Sequence, residues 1–260
     1  MAFLWFRNLF LRPQAQSSEN CILTLAEQID AWQKANRKMS WGIMQTEFER
    51  VESTSPPALT KHDLVWGFNG LVLFYGFGDD GQGNSDGVLS GKIAWEYAGK
   101  KRKSDIWQCE YINFNKPDDI RLRPGAPPRP KGFYCAKINT GQRNLNLTVA
   151  QVRKKLANDT GWGPEGFQFL AITHPHFADL MNQRKIPFMA LADYDVAPYG
   201  YNDFFDAPQL FCGNKKLGLG IGNIDRNYPL FGIPTLRLLS LIHISEPTRH
   251  DSGSRMPSCA

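Results

Sequence analysis

The chain has 260 residues, 42% of them hydrophobic and 21% charged, and a formal net charge of +5. That length can bury a core as one domain or two small ones, and so mild a positive charge is weak support for a nucleic-acid partner. The five cysteines form no CxxC pair, which excludes zinc-finger and thioredoxin-type readings.

MAFLWFRNLFLRPQ opens the chain. It is apolar and aromatic, but Arg7 interrupts the apolar core a secretory signal needs, and it falls short of the roughly 20 residues of a membrane span. Residues 1–20 are expected to pack on the body as a short amphipathic segment, or to stay disordered. Without a signal peptide, and with Cys21, Cys109, Cys135 and Cys212 scattered among apolar neighbours, the expected setting is reducing and cytoplasmic.

Residues 21–120 read as helices followed by a β-rich region over about 60–115. Thr24 and Glu27 form a capping box, and Leu25, Ile29, Trp32 and Ala35 follow at helical spacing, so a helix is predicted near 25–37. A shorter one is predicted near 43–52, stopped by Pro56 and Pro57. LVWGF and LVLFYGF flank Asn69-Gly70, a favoured hairpin turn. VLSGKIAWEYA and IWQCEYINF, rich in aromatic and β-branched residues, predict two more strands. Before VLSGKIAWEYA, residues 79–87 carry oxygen ligands suited to calcium, but Ile93 stands where an EF-hand needs its bidentate Glu.

Residues 121–131, with four prolines, predict a stiff linker or a loop within one domain. The region 132–238 then reads as α/β. GFYCAKI predicts a strand, the Thr148/Gln151 capping box starts a helix to about 158, and Gly161 is a plausible stop. Strand 167–173, helix 175–184 and strand 187–193 compose a βαβ unit with a parallel pair. The fold class expected overall is α+β, or mixed α/β. Gly218, Gly220 and Gly222 resemble a dinucleotide loop, but no helix pattern follows them.

Ligands of parallel sheets bind beyond the carboxyl ends of the strands. A βαβ unit here would bring His174 and His176, after its first strand, beside Asp193 and Asp195, after its second. Two imidazoles and two carboxylates suit a divalent metal; alternatively His174 or His176 acts as a general base oriented by Asp195. Tyr199, Tyr201 and Asp203 would then line a polar-substrate pocket. The plainer expectation is that His174 caps a helix and the others are surface polar groups. The function expected first is accordingly a binding or structural module, then a metal-assisted hydrolase. Last comes a weak nucleic-acid binder using 100–103, 121–131 and 153–155, runs otherwise expected to be solvated.

LSLIHISEPTR, residues 239–249, resembles the translation of a transposase sequencing adapter in one frame, and residues 254–260 resemble the next adapter segment except at Cys259. The resemblance implies that residues 239–260 are a non-native tail and that the natural reading frame runs on past Leu238. Residues 1–238 carry no resemblance of that kind to a characterised family.

Overall fold

The structure, a computed structural model, describes residues 22–78, 86–102, 105–116, 119–156, 159–197 and 203–239. The adapter-like tail beyond Leu239 and the calcium-like loop 79–85 lie outside the described residues.

The chain is a mixed α+β protein, as its composition and patterning predict. The first helix, α1 (Leu25–Met39), starts at the Thr24/Glu27 capping box and buries Ile29, Trp32 and Ala35. α2 (Gln45–Glu52) buries Phe48 and Val51. The predicted hairpin around Asn69-Gly70 is replaced by a short helix and a strand. Thr60 and Asp63 form another capping box, which begins α3 (Lys61–Val65), and Asp63 is further tied to Lys137 at 2.7 Å. The strand half of the prediction survives as β1 (Gly70–Gly76), whose partner is β4 (Gly132–Asn139), far along the chain.

VLSGKIAWEYA is helical, not extended: it lies in α4 (Asp86–Arg102). Its buried positions include Gly87, Gly91, Ala94 and Ala98, a helically spaced stripe of small residues that a search for large apolar side chains passes over. The stripe has a packing reason. A Cβ at Gly91 would lie 2.6 Å from the Tyr194 hydroxyl, and one at Gly87 2.5 Å from Leu122. Only the start of IWQCEYINF is a strand, β2 (Ile106–Gln108). After β3 (Ile120–Leu122) and β4 comes α5 (Val149–Lys155), opened by the predicted Thr148/Gln151 box. Gly161 does not stop this helix; it lies in β5 (Thr160–Gly161).

The βαβ unit is corrected. Residues 164–173 are helical: α6 (Pro164–Gln168) runs into a π-type turn over Phe169–Thr173. Every residue in this run is buried, and a segment buried on all sides carries no periodicity to separate helix from strand. α7 (Phe177–Asn182) leads to β6 (Phe188–Ala190). β6 pairs antiparallel with β8 (Asp206–Gly213) and parallel with β10 (Phe231–Gly232). β7 (Tyr194–Val196) follows. β8 and β9 (Lys216–Asn223) form a hairpin whose turn residues Asn214 and Lys215 both have positive φ, the backbone a tight hairpin turn requires. Gly218 and Gly222 of the glycine-rich run sit in β9 beneath the Phe211 and Gln209 side chains.

Among the described residues the strands form two sheets. One has the order β1-β4-β11-β5, with β11 spanning Thr235–Leu239. Leu239, the first residue of the adapter-like block, is therefore paired in a strand, opposite Cys135. The other sheet runs β10-β6-β8-β7-β3, with β9 on β8 and β2 on β9. β3 lies in the second sheet and β4 in the first, so residues 123–131 cross between them.

β1 is an edge strand, and two buried glutamines occupy that edge. Gln28 of α1 accepts from the Leu73 N–H at 2.8 Å and donates to the Leu71 carbonyl at 3.0 Å. Gln168 of α6 accepts from the Tyr75 N–H at 3.0 Å and donates to the Tyr75 carbonyl at 2.7 Å. Each amide satisfies backbone groups that a neighbouring strand would otherwise pair. No helix among the described residues is long and apolar enough to cross a membrane.

Candidate functional site

His174 closes the π-type turn, where its N–H reaches the Phe169 carbonyl at 2.7 Å. Its ring is fully buried and stacks on Phe169 with centroids 4.4 Å apart. Nε2 accepts the Leu23 N–H at 3.0 Å, and Nδ1 is 2.9 Å from the Thr173 hydroxyl. Because Nε2 accepts, the proton sits on Nδ1, and both nitrogens are committed. Burial, then the neighbouring His176, pushes the imidazole down to about 3. His176 stands at the start of α7, its ring 5.8 Å from that of His174.

The carboxylates keep different company. Asp193 is fully buried and accepts from Arg129 at 2.9 Å, from Arg123 at 3.2 Å and from the Thr160 hydroxyl. Asp195 pairs with Arg153 at 2.8 Å. The two nitrogens of His174 go to neither carboxylate, and among the described residues no three His, Cys, Asp or Glu side chains form a group that could hold a metal ion. The expected metal set of His174, His176, Asp193 and Asp195 is corrected accordingly. The reason lies in the missing parallel strand: without it, the residue after 173 and the residue after 192 need not meet at one sheet edge. Asp203 is exposed, while Tyr199 and Tyr201 lie outside the described residues.

Asp193 belongs to a buried ionic cluster that sequence reasoning missed. Arg129 and Glu165 are its other charged members, both at most 1% exposed in their side chains. Arg129 Nε donates to Glu165 Oε1 at 2.5 Å, and its Nη2 donates to Glu165 Oε2, Asp193 Oδ2 and the Gly161 carbonyl. Its Nη1 donates to the Pro127 carbonyl at 2.8 Å. Tyr134 donates to Glu165 at 2.8 Å, and the Gly163 N–H donates to it at 2.9 Å. Burial alone would lower the Arg129 guanidinium; Glu165 and then Asp193 outweigh it, and the net direction is upward. For Arg153, burial outweighs the attraction of Asp195 and the direction is downward.

Two signals for this cluster existed. Glu165 is a lone acid inside the apolar run WGPEGFQFL, and Arg129 is held by Pro128 and Pro130; a charge in such settings needs a partner. With Arg123, Arg153 and Asp195 added, three cations face three anions, so the assembly has no surplus charge for an ionic ligand. Tyr134 and Thr160 belong to one sheet and Asp193 abuts the other, so the cluster ties the sheets together. It also removes residues from the expected basic surface. Arg129 is buried, and Arg153 donates to the Ala192 and Tyr194 carbonyls, so the expected solvated run 153–155 loses its first member; Arg121 stays exposed, 3.5 Å over the Phe204 ring.

One cleft among the described residues is apolar. A half-open cleft of about 340 Å³ is lined by residues 22–25, by Pro56, Ala58 and Leu59 before α3, and by Leu71, Val72 and Cys135 of the sheet. That volume is at the lower end of ligand-binding clefts. Ile22 packs against β1 only because residue 70 is glycine: a Cβ there would stand 2.6 Å from Ile22 Cγ1. Burial pushes the Cys135 thiol up to about 11, so it contributes packing and not a thiolate.

Compared with known proteins, the chain matches no family model, no curated protein sequence and no solved structure.

The buried imidazole carries a pH prediction. A histidine neutral in the folded state binds its proton more readily when unfolded, so its contribution to stability is whole above about pH 6.5 and falls as the pH drops toward 3. The slope has a ceiling of about 1.4 kcal/mol per pH unit. Urea midpoints taken from pH 7 to pH 5 should fall in the parent chain, and fall less steeply in His174→Gln. Parallel slopes in the two proteins would refute this account of His174.

Proposed function

We propose that this chain is a binding module whose apolar cleft takes up an apolar polypeptide segment. The observation that carries the reading is the cleft itself, a half-open surface lined almost wholly by carbon side chains, on a protein where His174, Asp193 and Asp195 are taken up by internal contacts. Apolar burial supplies about 25 cal/mol per Å², so a few inserted side chains give useful affinity without any ionic contact. Gln28 already satisfies the Leu71 carbonyl and the Leu73 N–H. Recognition therefore proceeds through side chains entering the cleft, as in groove binding, and not through addition of a strand to β1.

The test uses a fluorescent anilinonaphthalene sulfonate dye as an apolar probe. Ala58 is exposed at the cleft, so Ala58→Glu should leave the fold intact while placing a charge among apolar groups. In a chain lacking residues 1–20, Ala58→Glu should weaken dye binding by about tenfold, the effect of roughly 1.4 kcal/mol. Dye binding indifferent to this substitution would remove the cleft as the binding surface.

A further inference from the structure

We propose that the occupant of the cleft is the chain's own N-terminal segment, folded back in cis. The inference rests on the binding reading above and names the ligand.

Three observations converge on it. The first is where the segment is attached. Residues 22–25 are part of the cleft wall, so residues 1–21 join the described chain at the cleft itself. That junction is held on both sides: Leu23 donates its N–H to His174 at 3.0 Å, and its carbonyl accepts from Gln28 at 2.8 Å. Ile22 is seated in the space left by Gly70. His174, expected from sequence to be a catalytic or metal-binding group, thus positions the root of the segment.

The second observation is the order of residues in the segment. Phe3, Leu4, Trp5, Phe6, Leu9, Phe10 and Leu11 form an apolar block, and Pro13 to Asn20 form a polar spacer. Eight such residues span up to about 28 Å when extended, enough to turn the block back over a cleft that adjoins Ile22. An apolar block on a polar tether at the rim of an apolar cleft has a high effective concentration there. The third is complementarity: the cleft offers aliphatic carbon with no charged lining residue, and the block offers large apolar side chains whose exposure to water is unfavourable. At about 340 Å³ the cleft takes a few of these side chains and not the whole block.

The mechanical consequence is self-occlusion. An external apolar segment gains the cleft only by displacing the tethered one, which lowers its apparent affinity by the occluded fraction.

The experiment compares the full chain with one lacking residues 1–20, using the same dye and a synthetic peptide of residues 1–20. The truncated chain is expected to bind dye about tenfold more tightly than the full chain, and the peptide is expected to displace it. Equal dye affinity in the two chains, with no displacement by peptide, overturns the cis occupant while leaving the binding reading standing. Absence of dye binding in both overturns the two together.

A second measurement serves if the truncated chain does not fold. In the full chain the Arg7–Asn8 bond should resist trypsin, and Ala58→Glu should expose it to faster cleavage; equal cleavage in both proteins overturns the proposal. Protection that grows with protein concentration assigns the cleft to the segment of a second copy and so overturns the cis form. Sedimentation of the full chain with phosphatidylserine vesicles while Arg7–Asn8 is cleaved freely in the absence of lipid makes the segment a membrane contact, and overturns it as well.

Discussion

Replacing Arg129 by Leu is expected to remove about 3–5 kcal/mol of folding stability. The guanidinium is fully enclosed and neutralises Glu165 and Asp193, which have no access to water. Deleting it leaves Glu165 buried with the neutral donors Tyr134 and the Gly163 N–H, strips Asp193 of its fully buried cation, and takes the donor from the Gly161 and Pro127 carbonyls. Removing one member of a buried ion set costs more than the set contributes, because the stranded charge keeps its desolvation penalty. The double variant Arg129→Leu/Glu165→Leu should therefore lose less than the sum of the two single variants. Asp193 retains Arg123 and Thr160 in that protein. Denaturant unfolding of the four proteins gives the cycle, and strict additivity would show that Arg129 and Glu165 are not coupled.

Gln168→Leu is the second substitution with a large expected effect, about 2–4 kcal/mol. Its cause is different. The side chain is buried and completes both backbone groups of Tyr75 on the edge strand β1. Leucine fills comparable space but neither donates nor accepts, so the part-buried N–H and carbonyl of Tyr75 both lose their partners, at about 1–2 kcal/mol each. The readout that separates this from a simple packing defect is hydrogen exchange. The Tyr75 amide should exchange faster in the variant under conditions where amides of β8 and β9 keep their protection. Uniform loss of protection across both sheets would instead point to general loosening of the core.

The local grammar of the chain was legible wherever a short-range rule was strong. The Thr24/Glu27 and Thr148/Gln151 boxes start helices at the predicted residues, because capping is satisfied within one turn and needs no tertiary partner. GFYCAKI is a strand as predicted. The Thr60/Asp63 box starts a helix by the same short-range rule. The failures are of another kind. α4 hides its period because small residues, Gly87, Gly91, Ala94 and Ala98, share its buried positions with Val88, Trp95 and Tyr97, and the two glycines leave the room that Leu122 and the Tyr194 hydroxyl take. Residues 164–173 hide theirs because they are buried throughout.

The candidate site was less legible still. His174, expected to be a catalytic or metal-binding group or a helix cap, has its two nitrogens taken by Leu23 and Thr173, one of them 151 positions away. Arg129, Glu165 and Asp193 come from three separate stretches that nothing in the linear order connects.

By itself, then, the sequence determined what local hydrogen bonding and composition control: an α+β chain, its capped helices, an apolar N-terminal block on a polar tether, and an adapter-like end. The tertiary structure alone decided which strands pair, that the histidines and aspartates separate, that a balanced ionic cluster joins the two sheets, and that the apolar cleft opens beside Ile22. The physical reason is range. Caps and turns are settled by neighbours within a few residues, whereas strand pairing and the burial of charge are settled by partners that only the folded chain brings together.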